Sequence, residues 1–458
     1  MSIAERLARG VKATLVGQAV FIVSNGLLMV VLTRYLLSTA EYGMLNLALS
    51  VLGVLAVFST LGLPKATARY VTEFVESDPG QVPHLLRRTL AYLLALVAVA
   101  SVALVALSGP IAGLVGEPAL APLLVAGVGY LCAQGLFQYL TLVFQGLNRV
   151  TWSAVMRGVM ALSRFGLAVA LTVAGMGALG ALLGYVAGFL LAAGLGLGVL
   201  YTRFYTTFDP ADSAVEDLSR RVLSYSVPLT ATRSANILDK KVDVILVGVL
   251  LNPTAVGYYA LAKQISTFVS TPATSLGFTI SPAIGQQKEG DALAAASRIY
   301  QESLEHVLLL YVPATVGLAL VAKPTVRYVF SASYLPAVTA VQVFCGFILV
   351  DAITQITSDG LDYLGRARSR AIAKGATSVA NAALNLLLIP AIGVVGAAVA
   401  TVITYSTYTA VNLYVIDDEL ALDRRRLGRR LLHIAGVTAA MAVCVVALLP
   451  MVSGLPSL

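Results

Sequence analysis

Five polar side chains share one face of an otherwise apolar stretch of this sequence. When residues 222–251 are wound as a helix, Arg233, Asn236, Asp239, Lys240 and Asp243 fall within ~120° of arc, and Lys241 lies off it. Two chemistries fit this stripe. Asp239 and Asp243 either neutralise Arg233 and Lys240 in a structural stripe, or the face forms the wall of a wet cavity that offers cations to an anionic head group. An ion pair that opens for its ligand would serve both. A second stripe runs along residues 336–363, where Asp351, Gln355, Ser358 and Asp362 lie within ~60° and Asp359 sits at the edge. These carboxylates fit counter-charges to the first stripe, interfacial positions at a helix end for Asp359 and Asp362, or a proton or sodium site that couples transport to an ion gradient.

Uncharged polar faces occur as well. Gln134, Gln138, Thr141 and Gln145 share one helical face, Thr401, Tyr405, Tyr408 and Asn412 another, and Gln18 and Asn25 a third. Amides and phenols suit sugar hydroxyls or an aqueous lumen, although interhelical hydrogen bonds are the commoner reason for them. Arg164 stands seven residues beyond Arg157, about 10 Å of helix rise, too deep for a simple interfacial anchor unless it snorkels. Lys263 invites the same two readings. Pro64, Pro228, Pro272, Pro282, Pro313 and Pro390 fall in or beside apolar runs, where proline permits a bend and is also simply more frequent.

Other chemistry is missing. Cys132, Cys345 and Cys444 are isolated within apolar runs and read as packing residues, while His84, His306 and His433 stand singly, without metal-ligand spacing. There is no G-x-x-x-x-G-K-[ST] phosphate loop. No metal, no cofactor and no enzymatic activity are expected.

These residues need a scaffold, and composition defines it. Of 458 residues 58% are hydrophobic and 12% charged, about half the charged share of an average soluble domain. Most of this chain must therefore be solvated by lipid, which excludes a cytosolic enzyme, a disulfide scaffold and a disordered chain. Thirteen apolar runs are long enough to span, near 13–34, 44–63, 89–109, 119–144, 152–174, 178–201, 222–251, 254–282, 303–322, 336–363, 371–392, 394–416 and 431–452. No A-x-A-like cleavage site follows the first, so it reads as a retained helix. With the N-terminus in the cytoplasm, 23 of the 31 Lys and Arg fall on cytoplasmic connections and three on external ones. The net charge of +8 thus suits a membrane surface rather than nucleic acid.

The chain also repeats itself. YLLSTAEYGMLNLAL (35–49) aligns with VLLNPTAVGYYALAK (249–263) at an offset of 214, shared by Pro110/Pro324, Val115/Val329 and Pro122/Pro336; GMGALGA (175–181) matches AIGVVGA (391–397) at 216. Six spans per copy is an even number, so both copies enter the membrane with the same orientation. The expected fold is all-α: two six-helix lobes related by a pseudo-two-fold along the membrane normal, with an extra C-terminal helix. Residues 1–201 form the N-lobe, 202–221 a cytoplasmic linker, 222–416 the C-lobe and 417–458 the thirteenth helix.

Several segments resemble a known family. TRYLLSTAEYG (33–43) is similar to the turn between helices 1 and 2 of polysaccharide-biosynthesis flippases, the Wzx-type branch of the multidrug/oligosaccharidyl-lipid/polysaccharide (MOP) superfamily. LGLPKATARYV (61–71), FQGLNR (144–149), VPLTATRSANILDKKVDVILVG (227–248), PTVRYVFSASY (324–334) and IPAIGVVGAAVATV (389–402) fit the same branch in order. The resemblance implies two lobes around a central cavity and movement of an isoprenoid-linked sugar from the inner to the outer leaflet of the cell membrane. It implies that Arg233, Lys240 and Arg164 hold the lipid's phosphate or pyrophosphate. Asn236, Gln138, Gln145, Tyr405 and Tyr408 are further substrate-binding candidates. Asp239, Asp243, Asp351, Asp359 and Asp362 are candidates for ion coupling or charge pairing. The expected partners are a polyisoprenyl (pyro)phosphate-linked glycan, membrane lipids and proteins of glycan assembly, with no nucleic acid.

Two departures stand out. The superfamily usually has twelve or fourteen helices, so thirteen implies a clipped chain or a last helix short of a full span. The first span carries no acid, unlike many drug exporters of the same superfamily. The alternative function is a cation-coupled multidrug or metabolite exporter. A glycan polymerase or glycosyltransferase fits poorly, because the longest extramembrane loop is about twenty residues.

Overall fold

The computed structural model describes the backbone of residues 3–285 and 292–453, with side chains from residue 16 onward except 231–236, 238, 274–293, 359, 363, 367 and 451–453. Arg233, Asn236 and Asp359 therefore lie outside the described side chains. Among the described residues the chain is helical, without a strand. The helices are α1 (Ile3–Val31), α2 (Thr39–Thr60), α3 (Leu63–Ser77), α4 (Val82–Val115), α5 (Leu120–Gly146), α6 (Val150–Leu171) and α7 (Gly177–Arg203). They continue with α8 (Leu218–Leu250), α9 (Pro253–Gly285), α10 (Ala292–Thr325), α11 (Val338–Tyr363), α12 (Ala367–Ile392), α13 (Val394–Leu420) and α14 (Arg424–Ser453). A helix covers each expected span. Ten stretches among the described residues are long and apolar enough to cross a bilayer, one of which, Val150–Thr207, runs through two successive helices. Large apolar side chains face outward, Val102 at 71% and Val379 at 73% exposure, as a surface solvated by acyl chains requires.

α3 has no counterpart among the expected spans. Its 15 residues reach only about 22 Å, short of a bilayer core. Leu63, Ala66, Thr67, Tyr70, Val71 and Phe74 are buried while Lys65, Arg69, Glu73 and Glu76 are exposed, the pattern of a helix half in and half out of a polar interface. Leu61 and Gly62, both left-handed, turn the chain from α2 into it. At the equivalent point of the second copy α9 runs on unbroken to Gly285.

The repeat is visible in the turns. α2 begins at Thr39 and α9 at Pro253, the offset read from the sequence. Gly177, at the start of α7, has φ 52°, ψ −137°, and Gly393, just before α13, has φ 63°, ψ −142°. This conformation is nearly closed to any residue with a Cβ. Two glycines 216 positions apart thus make the same turn.

The chain divides into two compact units, Met1–Thr254 and Ala255–Leu458. In the first, α6 packs closely on both α1 and α7, and α5 packs on α2, α3, α4 and α7. α8, which the repeat assigns to the second lobe, packs on α2, α3 and α4 of this unit. Residues of the 202–221 stretch bond along the α3–α4 turn: Ala211 N donates to Gly80 O at 3.0 Å, Gln81 Nε2 to Ser213 O at 3.0 Å, and Val215 N to Gln81 Oε1 at 3.0 Å. In the second unit α11 packs on α10 and α13, α12 on α13, and α14 on α10. Ile434 of α14 joins Tyr300, Leu304 and Leu308 of α10 in the core there.

Candidate functional site

Arg164 is placed by glycine. α6 and α7 approach so closely that a Cβ on Gly184 would lie 2.3 Å from Ala168 Cα, and one on Gly188 2.8 Å from Arg164 Cβ. Small residues four apart on α7 permit this contact. α1 covers the same part of α6, with Ser24 Oγ donating to Ala161 O at 2.9 Å. Arg164 is consequently 6% exposed. Its Nη2 donates to Asn25 Oδ1 at 2.5 Å, and the guanidinium lies 4.9 Å from the Tyr185 ring centre and 5.5 Å from that of Phe21. Its Nε–H is buried without an acceptor, and among the described residues no carboxylate pairs with it. The guanidinium therefore stays enclosed among α1, α6 and α7. Gln18, on the same face of α1 as Asn25, is exposed.

A cavity of about 280 Å³ lies in the same unit, bounded by α2, α5, α7 and α8. α5 supplies Gln134 and Gln138, one turn apart, and α2 supplies Thr60, whose hydroxyl donates to Ala56 O at 3.0 Å and so keeps its acceptor side. Phe137 and Phe189 wall it with ring centres 5.2 Å apart, and Tyr130 packs edge-on to Phe189 at 5.6 Å. Gln134 Oε1 is buried with no hydrogen-bond partner. No charged side chain is among the described lining residues. Gln145, lower on the α5 stripe, is half-buried and not part of the lining, and the Thr141 hydroxyl is turned onto Phe137 O.

α8 contributes an unexpected cation to this region. A Cβ on Gly53, a cavity residue of α2, would lie 3.4 Å from Lys241 Cε. Lys241, off the stripe on a helical wheel, therefore lays its stem along the cavity edge. Of the described stripe residues Asp243 is 2% exposed, Asp239 is half-buried and Lys240 is exposed.

The second unit gathers its own polar residues. Asp351 is 8% exposed and accepts from Gln355 Nε2 at 3.1 Å. Asp362, at the exposed end of α11, pairs with Arg370 of α12 at 2.7 Å. Tyr408 is buried and Tyr405 half-buried, and Lys374 Nζ lies 4.1 Å from the Tyr405 ring centre and 5.2 Å from that of Tyr408. Phe347 packs edge-on to Tyr405 at 4.8 Å. Lys374 reads in the sequence as a topology anchor, but a signal was present. Lys374, Ser378, Asn381 and Asn385 recur at helical spacing along α12, and Asn381 Nδ2 donates to Thr404 Oγ1 of α13 at 3.1 Å. Among the described residues no three His, Cys, Asp or Glu side chains are grouped to hold a metal ion.

An all-helical chain of many apolar stretches long enough to span, with buried charge and amides inside its bundles, defines a polytopic membrane protein. The family model described as polysaccharide biosynthesis protein matches residues 7–288, and the chain belongs to that family. It is 22% identical over 204 residues to the probable low-salt glycan biosynthesis flippase Agl15 of Haloferax volcanii, an alignment that covers 44% of this chain and 43% of Agl15. The chain thus matches less than half the length of that relative. Its fold is that of the lipid II flippase MurJ in an inward closed conformation, with TM-score 0.75 at 14% identity over 95% of this chain and 92% of MurJ. An inward-facing multidrug resistance MATE family transporter of the MOP superfamily superposes with TM-score 0.69 at 15% identity, over 88% of this chain and 94% of the transporter.

Proposed function

We propose that this protein is a flippase that moves an isoprenoid-(pyro)phosphate-linked oligosaccharide from the cytoplasmic to the external leaflet of the cell membrane by alternating access, with its N-terminus in the cytoplasm. The observation that carries the reading is Arg164, a guanidinium 6% exposed among α1, α6 and α7 with a donor to spare. A cation kept in hydrocarbon without a carboxylate is costly, and a phosphate oxygen on the cargo repays that cost at the moment it binds. Lys241 beside Gly53 adds a second positive group to the same unit. Agl15 and MurJ are named as flippases, which accords with this reading. The head group crosses through the polar interior while the isoprenoid tail stays in lipid. Arg164→Gln, which removes the charge at nearly constant size, should slow flipping of a fluorescent polyprenyl-phosphate glycan in proteoliposomes about 10- to 100-fold, the worth of a charge-assisted hydrogen bond. Flipping at the wild-type rate in Arg164→Gln would overturn the assignment.

A second reading, a cation-coupled multidrug or metabolite exporter, has Asp351 in its favour, a carboxylate 8% exposed inside a span. Efflux of ethidium that disappears in Asp351→Asn would select it.

A further inference from the structure

We propose that the cavity between α2, α5, α7 and α8 is a subsite for a single neutral sugar ring, the one joined directly to the lipid's phosphate. The inference rests on the lipid-phosphate reading above and adds to it where the first sugar sits. Three features fix the class of occupant. Gln134 Oε1 is a buried acceptor that the protein leaves unpartnered, so its occupant must donate a hydrogen bond or the site bears the cost of an unmet polar group. Gln138 and Thr60 face the same space, giving polar groups on two sides, while the Phe137 and Phe189 rings offer the apolar wall that packs against the C–H face of a pyranose. Among the described lining residues none is charged, and Lys241 runs along the edge at Gly53 rather than within.

Other occupants fit less well. A hydrocarbon or aromatic drug leaves Gln134 unpaired, and a cationic one is repelled by Lys241. A neutral ring with hydroxyls satisfies the amide, and an anionic linkage next to that ring lies on the side of Lys241. Size decides between one ring and several. About 280 Å³ is at the lower limit of small-molecule pockets, which run from roughly 300 to 1,000 Å³. The rest of a longer glycan must lie outside.

The test compares two probes on the full-length protein in nanodiscs by isothermal titration: citronellyl phosphate and citronellyl phosphoryl-glucose. The glucosylated probe should bind roughly tenfold more tightly, the worth of one good hydrogen bond to a buried acceptor. In Gln134→Leu that advantage should vanish while citronellyl phosphate binds as in the wild type. Ala56→Leu, which keeps the amide and only fills the cavity, should give the same result, and serves if Gln134→Leu does not fold. Equal affinity of the wild type for both probes, or an advantage that survives in the variants, would overturn the subsite alone. No binding of citronellyl phosphate would overturn the lipid-phosphate reading and the subsite with it.

Discussion

Arg164 has an amide and two aromatic rings for company where a stable soluble protein would supply a carboxylate. That choice trades stability for an available charge, and the trade can be tested at Asn25. Asn25→Asp sets a carboxylate where Asn25 Oδ1 now accepts from Arg164 Nη2 at 2.5 Å, making a charge-assisted pair inside the bundle. The thermal midpoint should hold or rise, while flipping of the polyprenyl-phosphate glycan falls at least about tenfold, because the internal anion competes with the cargo's. A variant that is both more stable and fully active would show that Arg164 is structural. Arg164 stands out in the sequence because distance along a helix follows from residue number alone, and seven residues separate it from Arg157. Lys241 does not, since a helical wheel places Cβ atoms while a lysine's four-carbon stem carries its charge well away from them. Lys374 was masked differently: the positive-inside pattern absorbs any lysine near a helix end, so its polar stripe with Ser378, Asn381 and Asn385 is easily passed over, and its place beside Tyr405 and Tyr408 on α13 shows that it turns inward.

Proline acts at the level of the helix, and α9 shows how a neighbouring helix can answer one. Beside Pro272 a side chain joins the backbone: Ala273 N donates at 2.9 Å to the hydroxyl of Tyr311 on α10, and that hydroxyl donates to Val269 O at 3.3 Å. The hydroxyl thus bridges a donor and the carbonyl four residues back, and a side chain inserted in this way is one of the recognised causes of a helix bend. Tyr311→Phe removes the bridge and leaves two backbone groups unmet in a buried setting, at a cost of about 1–3 kcal/mol. The thermal midpoint should fall by several degrees, and amide exchange at Val269–Ala273 should quicken; unchanged exchange there would mean that α9 recloses its own ladder. The sequence announces Pro272 but not its partner, because a tyrosine 39 residues on has no spacing rule to the ladder it enters. The same limit hid α3, whose mixed apolar and charged residues follow an apolar run and read as a connection. The apolar runs were legible as helices, and ten stretches among the described residues have the length and composition to span, since both follow from the bilayer's thickness.

At the scale of the whole chain the duplicated halves differ in how they are joined to their surroundings. Gly177 and Gly393 keep one backbone geometry across the repeat, so the turns preserved the duplication while helix surfaces diverged. The segment between the copies belongs to the first unit by its bonds. Gln81, 4% exposed at the α3–α4 turn, holds it from both sides, donating to Ser213 O and accepting from Val215 N. His84 Nε2 meets Ala211 O at 2.8 Å, and Tyr92 donates to Ser219 at the start of α8 at 2.7 Å. Residues 202–221, read from composition as a polar linker, are thus strapped along their length, and α8 is fixed to this unit at its first turn as well as by packing on α2. A glutamine's two-sided bond to a distant loop leaves no mark in hydropathy, so the sequence does not show the strap. Gln81→Ala cuts both bonds at once and leaves the two backbone groups to water. Each bond contributes roughly 1 kcal/mol, so opening of the loop should become about tenfold or more frequent. Cleavage at Glu216 by a glutamate-specific protease should accelerate to match, with the helices intact by circular dichroism. Cleavage no faster than in the wild type would mean that His84 and the Gly80–Ala211 backbone contact hold the strap without Gln81, and that α8 owes its place to packing alone.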